Sequence, residues 1–226
     1  MIHALIPAAG SGRRTGLAVP KQLLGVAGRP LLAWAVARLR AGGAARFVVA
    51  LPPELVDRGA EILGEQADAV HFVAGGATRQ ESVQRCLAEC AAAPDDAVLV
   101  HDAARPAVDP RDVAAVVAAA SAADGAVLGR DVSDTLKRLV AGQIAATVDR
   151  SGLFQAETPQ AFRRETLARA HAAAALAGFT GTDEASLVER LPGSRVVAVH
   201  ARHPNPKLTW PADLPWLAAL LRPEGG

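Results

Sequence analysis

"IHALIPAAGSGRRTGLAVPKQ" runs from Ile2 to Gln22. It begins as a short apolar run and turns at once into small residues, two arginines, a proline and a lysine. Such a run followed by a Gly-rich turn reads as a buried strand feeding a loop. Gly10 and Gly12 allow positive φ, so successive backbone N–H groups can approach an anion closely. Arg13, Arg14 and Lys21 then add three positive charges. Two familiar phosphate loops do not fit. A P-loop needs Lys followed by Ser or Thr after its glycines, and none follows here. A dinucleotide fingerprint needs a third glycine at position 15, which is Thr15, and an acid about 20 residues further on. The first acid in the chain is Glu54. The turn is therefore a phosphate cradle of another kind.

Strand and helix patterns alternate outward from this turn. Strands are expected at 2–7, 46–52, 69–75, 97–102 and 125–130. Helices are expected at 30–41, 54–66, 78–93 and 109–123, with Thr78 and Glu81 in capping-box spacing. This rhythm predicts an α/β fold with a mostly parallel sheet covered by helices. Ligands in such sheets sit at the carboxyl ends of the strands. The glycine turn, the turn after Val73 and the segment "HDAARP" (101–106) all fall there. The rhythm breaks at 132–150, where two short strands around Ala141-Gly142 predict a hairpin. A lone hairpin buries too little surface to be stable. It either packs on a second subunit as a dimerisation arm, 131–150, or folds back on its own sheet. Helices at about 163–177 and 183–191, a strand at 195–201 and a helix at about 211–222 complete the chain. No repeat or linker divides it, so residues 1–226 are expected to form one domain with an arm.

Half of the 226 residues are apolar and 21% are charged, which supports a full core and argues against disorder. No apolar run is long enough to span a membrane, and Met-Ile-His-Ala-Leu is not a signal peptide. A cytoplasmic protein is expected. After its final residues, Arg-Pro-Glu-Gly-Gly, no second catalytic unit is expected. Cys86 and Cys90 stand one helical turn apart with no histidine nearby, so small core side chains are a better reading than zinc ligands. Residues 1–53 carry seven Arg or Lys and no acid, while the net charge of the whole chain is only +1. That asymmetry points to an anionic partner near the N-terminal segment. Nucleic acid is disfavoured, because no basic stripe interleaved with aromatics is present. The chain has 21 arginines and only three lysines, Lys21, Lys137 and Lys207. Lysine in such a chain hints at a compact point charge.

Cations beside a phosphate cradle suit transfer, because negative charge moves among phosphate oxygens during that reaction. Asp102 follows a strand end, where it can hold Mg²⁺ jointly with substrate phosphates. Arg105 either holds an anionic substrate or pairs with Asp102. His101 reads as a packing or hydrogen-bonding residue.

Eight segments in order, "PAAGSGRR…PKQ", "GGATRQESV", "VHDAARP", "DTLKR", "TVDRSGL", "TPQAF", "TDEAS" and "NPKLTWP", together resemble the 2-C-methyl-D-erythritol 4-phosphate cytidylyltransferases of non-mevalonate isoprenoid synthesis. Relatives that make CDP-ribitol share much of the set. The resemblance implies a three-layer, Rossmann-like nucleotidyltransferase fold and a homodimer joined through the arm. It implies transfer of CMP from CTP to methylerythritol 4-phosphate, with Mg²⁺ or another divalent cation. Ala8, Ala9, Gly10 and Gly12 match the loop around the CTP phosphates, and Arg14 and Lys21 the pair that stabilises the α-phosphate in the transition state. Gly76 and Ser82 match cytidine contacts, with Asp102 beside the metal and ribose. Arg105, Thr135, Arg150, Thr158 and Thr182 match the methylerythritol phosphate pocket. Thr135 and Arg150 would serve the partner's site. Lys207 matches a lysine that positions the attacking phosphate. Ala77 departs from the family's pattern, which has Asp there, and leaves backbone groups to read the base. Phe154 replaces a tryptophan. Two rival readings are the same chemistry on another polyol phosphate, such as ribitol 5-phosphate, and a nucleotide sensor without turnover.

Overall fold

A computed structural model describes residues 1–10 and 20–221, with Lys21 described in its backbone alone. Gly12, Arg14 and the side chain of Lys21 therefore lie outside the described residues. In chain order the elements are β1 (Ile2–Pro7), β2 (Gly25–Val26), β3 (Arg29–Pro30), α1 (Leu31–Ala41), β4 (Arg46–Leu51), α2 (Gly59–Leu63) and β5 (Val70–Ala74). Then come α3 (Arg79–Ala88), β6 (Ala97–Val100), α4 (Pro110–Ser121), β7 (Gly125–Asp131), β8 (Leu136–Val140), β9 (Gln143–Val148) and β10 (Phe154–Arg163). The chain closes with α5 (Arg164–Leu176), α6 (Ala185–Val188), β11 (Val196–His200) and α7 (Leu214–Leu220).

Seven strands form one sheet in the order β11-β7-β10-β6-β1-β4-β5. The pairs among β6, β1, β4 and β5 are parallel, as is β11 with β7. Only β10 runs antiparallel to its neighbours, β6 and β7. Because side chains alternate along a strand, β1 feeds two cores. Ala4 and Ile6 pack with Leu32, Val36 and Leu39 of α1 and Val113 and Val116 of α4. Leu5 packs on the other side with Val83, Cys86 and Leu87 of α3 and Leu167 and Ala170 of α5. Burial on both faces explains why the strands read as unbroken apolar runs. Cys86 and Cys90 are free and buried in this second core.

Local chemistry sets the helix starts. Thr78 accepts a hydrogen bond from the Glu81 N–H and caps α3. Asp109 caps α4, and Pro110 takes the first turn, where its missing N–H costs nothing. The helix expected over 54–66 is broken. It comprises 3₁₀ turns at Pro53–Arg58 and Gly64–Ala67 around the five residues of α2. Gly59 is required there, because a Cβ would stand 2.4 Å from the Phe72 ring. Gly64, at φ 54°, closes the short helix. The α6 helix is likewise only four residues long, against an expectation of 183–191.

β8 and β9 form the expected hairpin, a separate two-stranded sheet. Ala141 and Gly142 both have positive φ, 49° and 79°, the requirement of a tight turn that follows the strands' twist. Leu139, Val140 and Ile144 are 60–67% exposed on it.

The strand that the sequence hides is β10. It carries Glu157, Thr158, Pro159 and Gln160, which argue against a central strand. All three polar residues are nevertheless buried. A register shift against β7 between Ala156 and Gln160 lifts Glu157 and Thr158 out of that ladder, the usual effect of a bulge, while Gln160 rejoins it opposite Val127. Gln160 lies opposite Val100, so the antiparallel course carries Thr158 up to the level of Asp102.

Candidate active site

A cleft of about 490 Å³ opens at the carboxyl ends of β1, β5 and β6. Ala8, Ala9 and Gly10 form one wall, Gly76, Arg79 and Ser82 a second, and Asp102 with Lys207 the floor and rim. Backbone bonds tie the walls to the sheet. The Ala8 N–H donates to the Ala50 carbonyl, and the Gly75 N–H to that of Leu51, both at 2.8 Å. A Cβ at Gly75 would stand 2.1 Å from that of Ala9, so only glycine lets the two loops meet. The Gly76 N–H donates to Ser82 Oγ at 3.1 Å, and the Ala77 N–H to Glu81 Oε2 at 2.8 Å. The Glu81 carboxylate thus stands beside the position where the family's pattern has an acid.

Asp102 is the electrostatic centre. Its Oδ1 accepts from Arg79 Nε at 2.9 Å and its Oδ2 from Lys207 Nζ at 2.5 Å. Burial opposes ionisation of this carboxyl, but Arg79 and Lys207 outweigh it and hold the group well below the usual carboxylate range. Arg79 Nη1 turns the other way and donates to both oxygens of Glu184, at 3.0 and 2.8 Å. Four charges of alternating sign therefore run Glu184, Arg79, Asp102, Lys207.

A second network stands behind it. His101 Nε2 lies 2.9 Å from the Arg105 carbonyl, an acceptor only, so Nε2 carries the proton. Burial holds the ring's pKa down to about 4, so it is neutral at pH 7 and Nδ1 is an acceptor. The Thr158 hydroxyl, 3.1 Å from Nδ1, must donate to it. That leaves Thr158 Oγ1 to accept the Asp102 N–H at 3.0 Å. Asn205 Nδ2 donates to the Thr158 carbonyl at 2.8 Å, and the Leu208 N–H donates to Ala104 at 2.8 Å. These two bonds place Lys207 between them. Arg105 does not take up Asp102. Its Nη1 donates to the Asn205 carbonyl at 2.7 Å and lies 3.7 Å from Glu157, which also meets Arg130 at 2.7 Å.

The structure thus brings Ala8, Ala9, Gly10, Gly76, Ser82, Asp102 and Lys207 together around one cleft. Thr158 is buried beneath it. Arg105 stands behind Asp102 with its side chain 12% exposed. Thr135 and Arg150 flank the arm and are exposed, as is Thr182. They do not line this cleft within the described residues. Sequence reasoning missed Arg79, Glu184 and Asn205. Each lies inside a quoted segment, "GGATRQESV", "TDEAS" and "NPKLTWP". For Arg79 and Asn205 the usable signal was a charged or amide residue beside small or turn residues after a strand, β5 and β11; Glu184, which follows α5, offered none.

For a divalent cation the fit is poor. Among the described residues Asp102 is the one carboxylate lining the cleft, and both its oxygens already accept from cations. Among the described residues no three His, Cys, Asp or Glu side chains converge. These residues do not form a resident metal site.

Known proteins similar to this chain share its length and fold. A family model described as 2-C-methyl-D-erythritol 4-phosphate cytidylyltransferase matches residues 2–223. An enzyme of that name from Syntrophotalea carbinolica is 41% identical over 99% of this chain and 97% of its own length. One from Aeromonas hydrophila is 46% identical over 94% of this chain and 86% of its own. The crystal structure of the Thermus thermophilus cytidylyltransferase superimposes with a TM-score of 0.81 at 40% identity, covering 96% of this chain and 97% of that one.

Proposed function

This chain belongs to the 2-C-methyl-D-erythritol 4-phosphate cytidylyltransferase family, and from that premise we propose that its reaction takes place in the cleft around Asp102. The reaction transfers CMP from CTP to 2-C-methyl-D-erythritol 4-phosphate and releases pyrophosphate, a step of isoprenoid precursor synthesis. An oxygen of the methylerythritol phosphate bonds to the α-phosphorus of CTP. The bond from that phosphorus to the β-phosphate oxygen breaks, and pyrophosphate leaves with its electron pair. A phosphate monoester has its second pKa near ~6, so the nucleophile is already ionised and needs no base. His101, neutral and with both ring nitrogens engaged, fits that requirement.

The task for the protein is to bring two polyanions together and align them. Ala8, Ala9, Gly10 and Gly12 would cradle the triphosphate. Arg14 and Lys21 would stabilise charge on the α-phosphate, and Gly76 and Ser82 would meet the cytidine. Lys207, held by Asp102, would meet the attacking phosphate with its remaining N–H donors. Arg105 and Thr182 would act at the polyol phosphate, and Thr158 would hold Asp102 in place. A divalent cation such as Mg²⁺ would arrive with the triphosphate, and no residue step depends on it here.

No described helix is long and apolar enough to cross a membrane. We place the enzyme in the cytoplasm, with no nucleic acid partner. The exposed Leu139, Val140 and Ile144 support the reading of 131–150 as a dimerisation arm on a single domain, 1–226. Thr135 and Arg150 would then serve the partner's cleft.

The observation that carries this reading is Asp102, fixed between Arg79 and Lys207 opposite the Ala8–Gly10 turn. Pyrophosphate release tests it. CTP alone should give none, methylerythritol 4-phosphate should give rapid release, and ribitol 5-phosphate should give little. Release with ribitol 5-phosphate alone would move the substrate assignment. No release with any acceptor would favour a sensor.

A further inference from the structure

Glu184 lies 1% exposed, at the start of α6, and does not line the cleft. It reaches the cleft only through Arg79. A guanidinium meets a carboxylate best as a two-pronged fork, with two parallel hydrogen bonds to its two oxygens. Arg79 does not meet Asp102 in this way. It gives Asp102 a single bond from Nε, while its Nη1 is drawn to both oxygens of Glu184. The divided guanidinium leaves Oδ2 of Asp102 free for Lys207. Without a negative charge at Glu184, Arg79 would turn its fork onto both oxygens of Asp102, and Lys207 would lose its anchor.

We propose that Glu184 is a positioning residue: by dividing Arg79 between two carboxylates, it reserves one oxygen of Asp102 to hold Lys207 at the mouth of the cleft. Burial argues that this arrangement is selected for placement. A buried carboxylate is costly, and burial pushes the Glu184 carboxyl up against the pull of Arg79. A neutral side chain would fill the same space at less cost. The inference rests on the proposed role of Lys207 toward the attacking phosphate.

The test is steady-state kinetics of Glu184→Gln, which keeps shape and removes charge. One displaced charge-assisted contact predicts a rise of about tenfold in KM for methylerythritol 4-phosphate. The KM for CTP should change less than about twofold and kcat less than about threefold on the same reasoning. In a Lys207→Ala background the substitution should add nothing, because the side chain it positions is gone. A general loosening of the fold would instead act in both backgrounds and on both substrates. An unchanged KM, or an equal rise in the Lys207→Ala background, overturns the proposal. Should Glu184→Gln melt below the assay temperature, Glu184→Asp serves, with a smaller rise in the same KM and the same loss of effect without Lys207. Wild-type enzyme that releases no pyrophosphate would instead overturn the underlying reading of the cleft.

Discussion

Replacing Thr158 by valine tests the network behind Asp102. The two side chains have nearly the same shape, so no cavity forms, and only the hydroxyl is lost. Two buried groups then lose their partner at once. The Asp102 N–H no longer has Oγ1 at 3.0 Å, and His101 Nδ1 no longer receives the hydroxyl proton across 3.1 Å. Thr158 is 5% exposed and His101 fully buried, so water is a poor substitute. Each unsatisfied buried group costs about 1–3 kcal/mol, which places the total near ~3 kcal/mol or somewhat above. With a urea m-value of ~2–3 kcal/mol/M for a chain of this size, the unfolding midpoint should fall by about 1 M. Thr158→Ser keeps the hydroxyl and removes one methyl, a change of ~1 kcal/mol. The comparison isolates the hydrogen bonds from the packing. If urea titration places the valine and serine variants within ~0.5 kcal/mol of each other, the deduced tautomer of His101 and the donor role of Thr158 are both wrong.

Arg14→Ala and Lys21→Ala should each lower kcat by ~10²–10³ with unchanged circular dichroism; near-native turnover in either would remove that residue from the transition-state role. Ile144→Asp, in the middle of the exposed apolar patch of the arm, should convert a dimer to a monomer in analytical ultracentrifugation at micromolar concentration, and an unaltered dimer would place the interface elsewhere. Burial holds both His101 and His171 at about 4. A base depressed on folding contributes its stability fully above its unfolded value near 6.5, and loses it as pH falls toward 4. The shift is worth on the order of 3 kcal/mol for each ring. Both His171 nitrogens are buried and lack a partner among the described residues, so His171→Leu should fold well at pH 7. It should remove about half of the stability loss between pH 7 and 4.5, measured by urea unfolding at both; an unchanged loss would contradict this account.

Much of the sheet was legible because its parallel strands are buried on both faces and read as apolar runs between turn residues. β1, β4, β5, β6 and β7 fall where those runs fall. The hairpin was legible from its turn and its lack of a helical face. β10 was not, because its middle is polar and contains Pro159. Those residues are stabilised by partners more than twenty residues away, such as Asp183 on Gln160, and no local pattern encodes that. The same distance effect governs the cleft. Ala8, Gly10, Gly76, Ser82 and Asp102 lie at strand ends and helix starts, where position alone marks them. Arg79 and Glu184 look like ordinary surface charges until the fold brings them together. The expected option of an Arg105–Asp102 pair is not taken up, because other acceptors, the Asn205 carbonyl and Glu157, engage Arg105.

Among the described residues, the charges in and behind the cleft come from residues 79, 102, 184 and 207, and the last of these follows the whole sheet in the chain. During translation the amino-terminal strands emerge first, so a growing polypeptide can complete most of its core before Lys207 has left the ribosome. Any shortened product that stops before Asn205 would keep Asp102 and Arg79 but lack the segment that pins Thr158 from above. On the proposed role of Lys207, competence for turnover therefore waits on a segment that leaves the ribosome after every strand of the sheet.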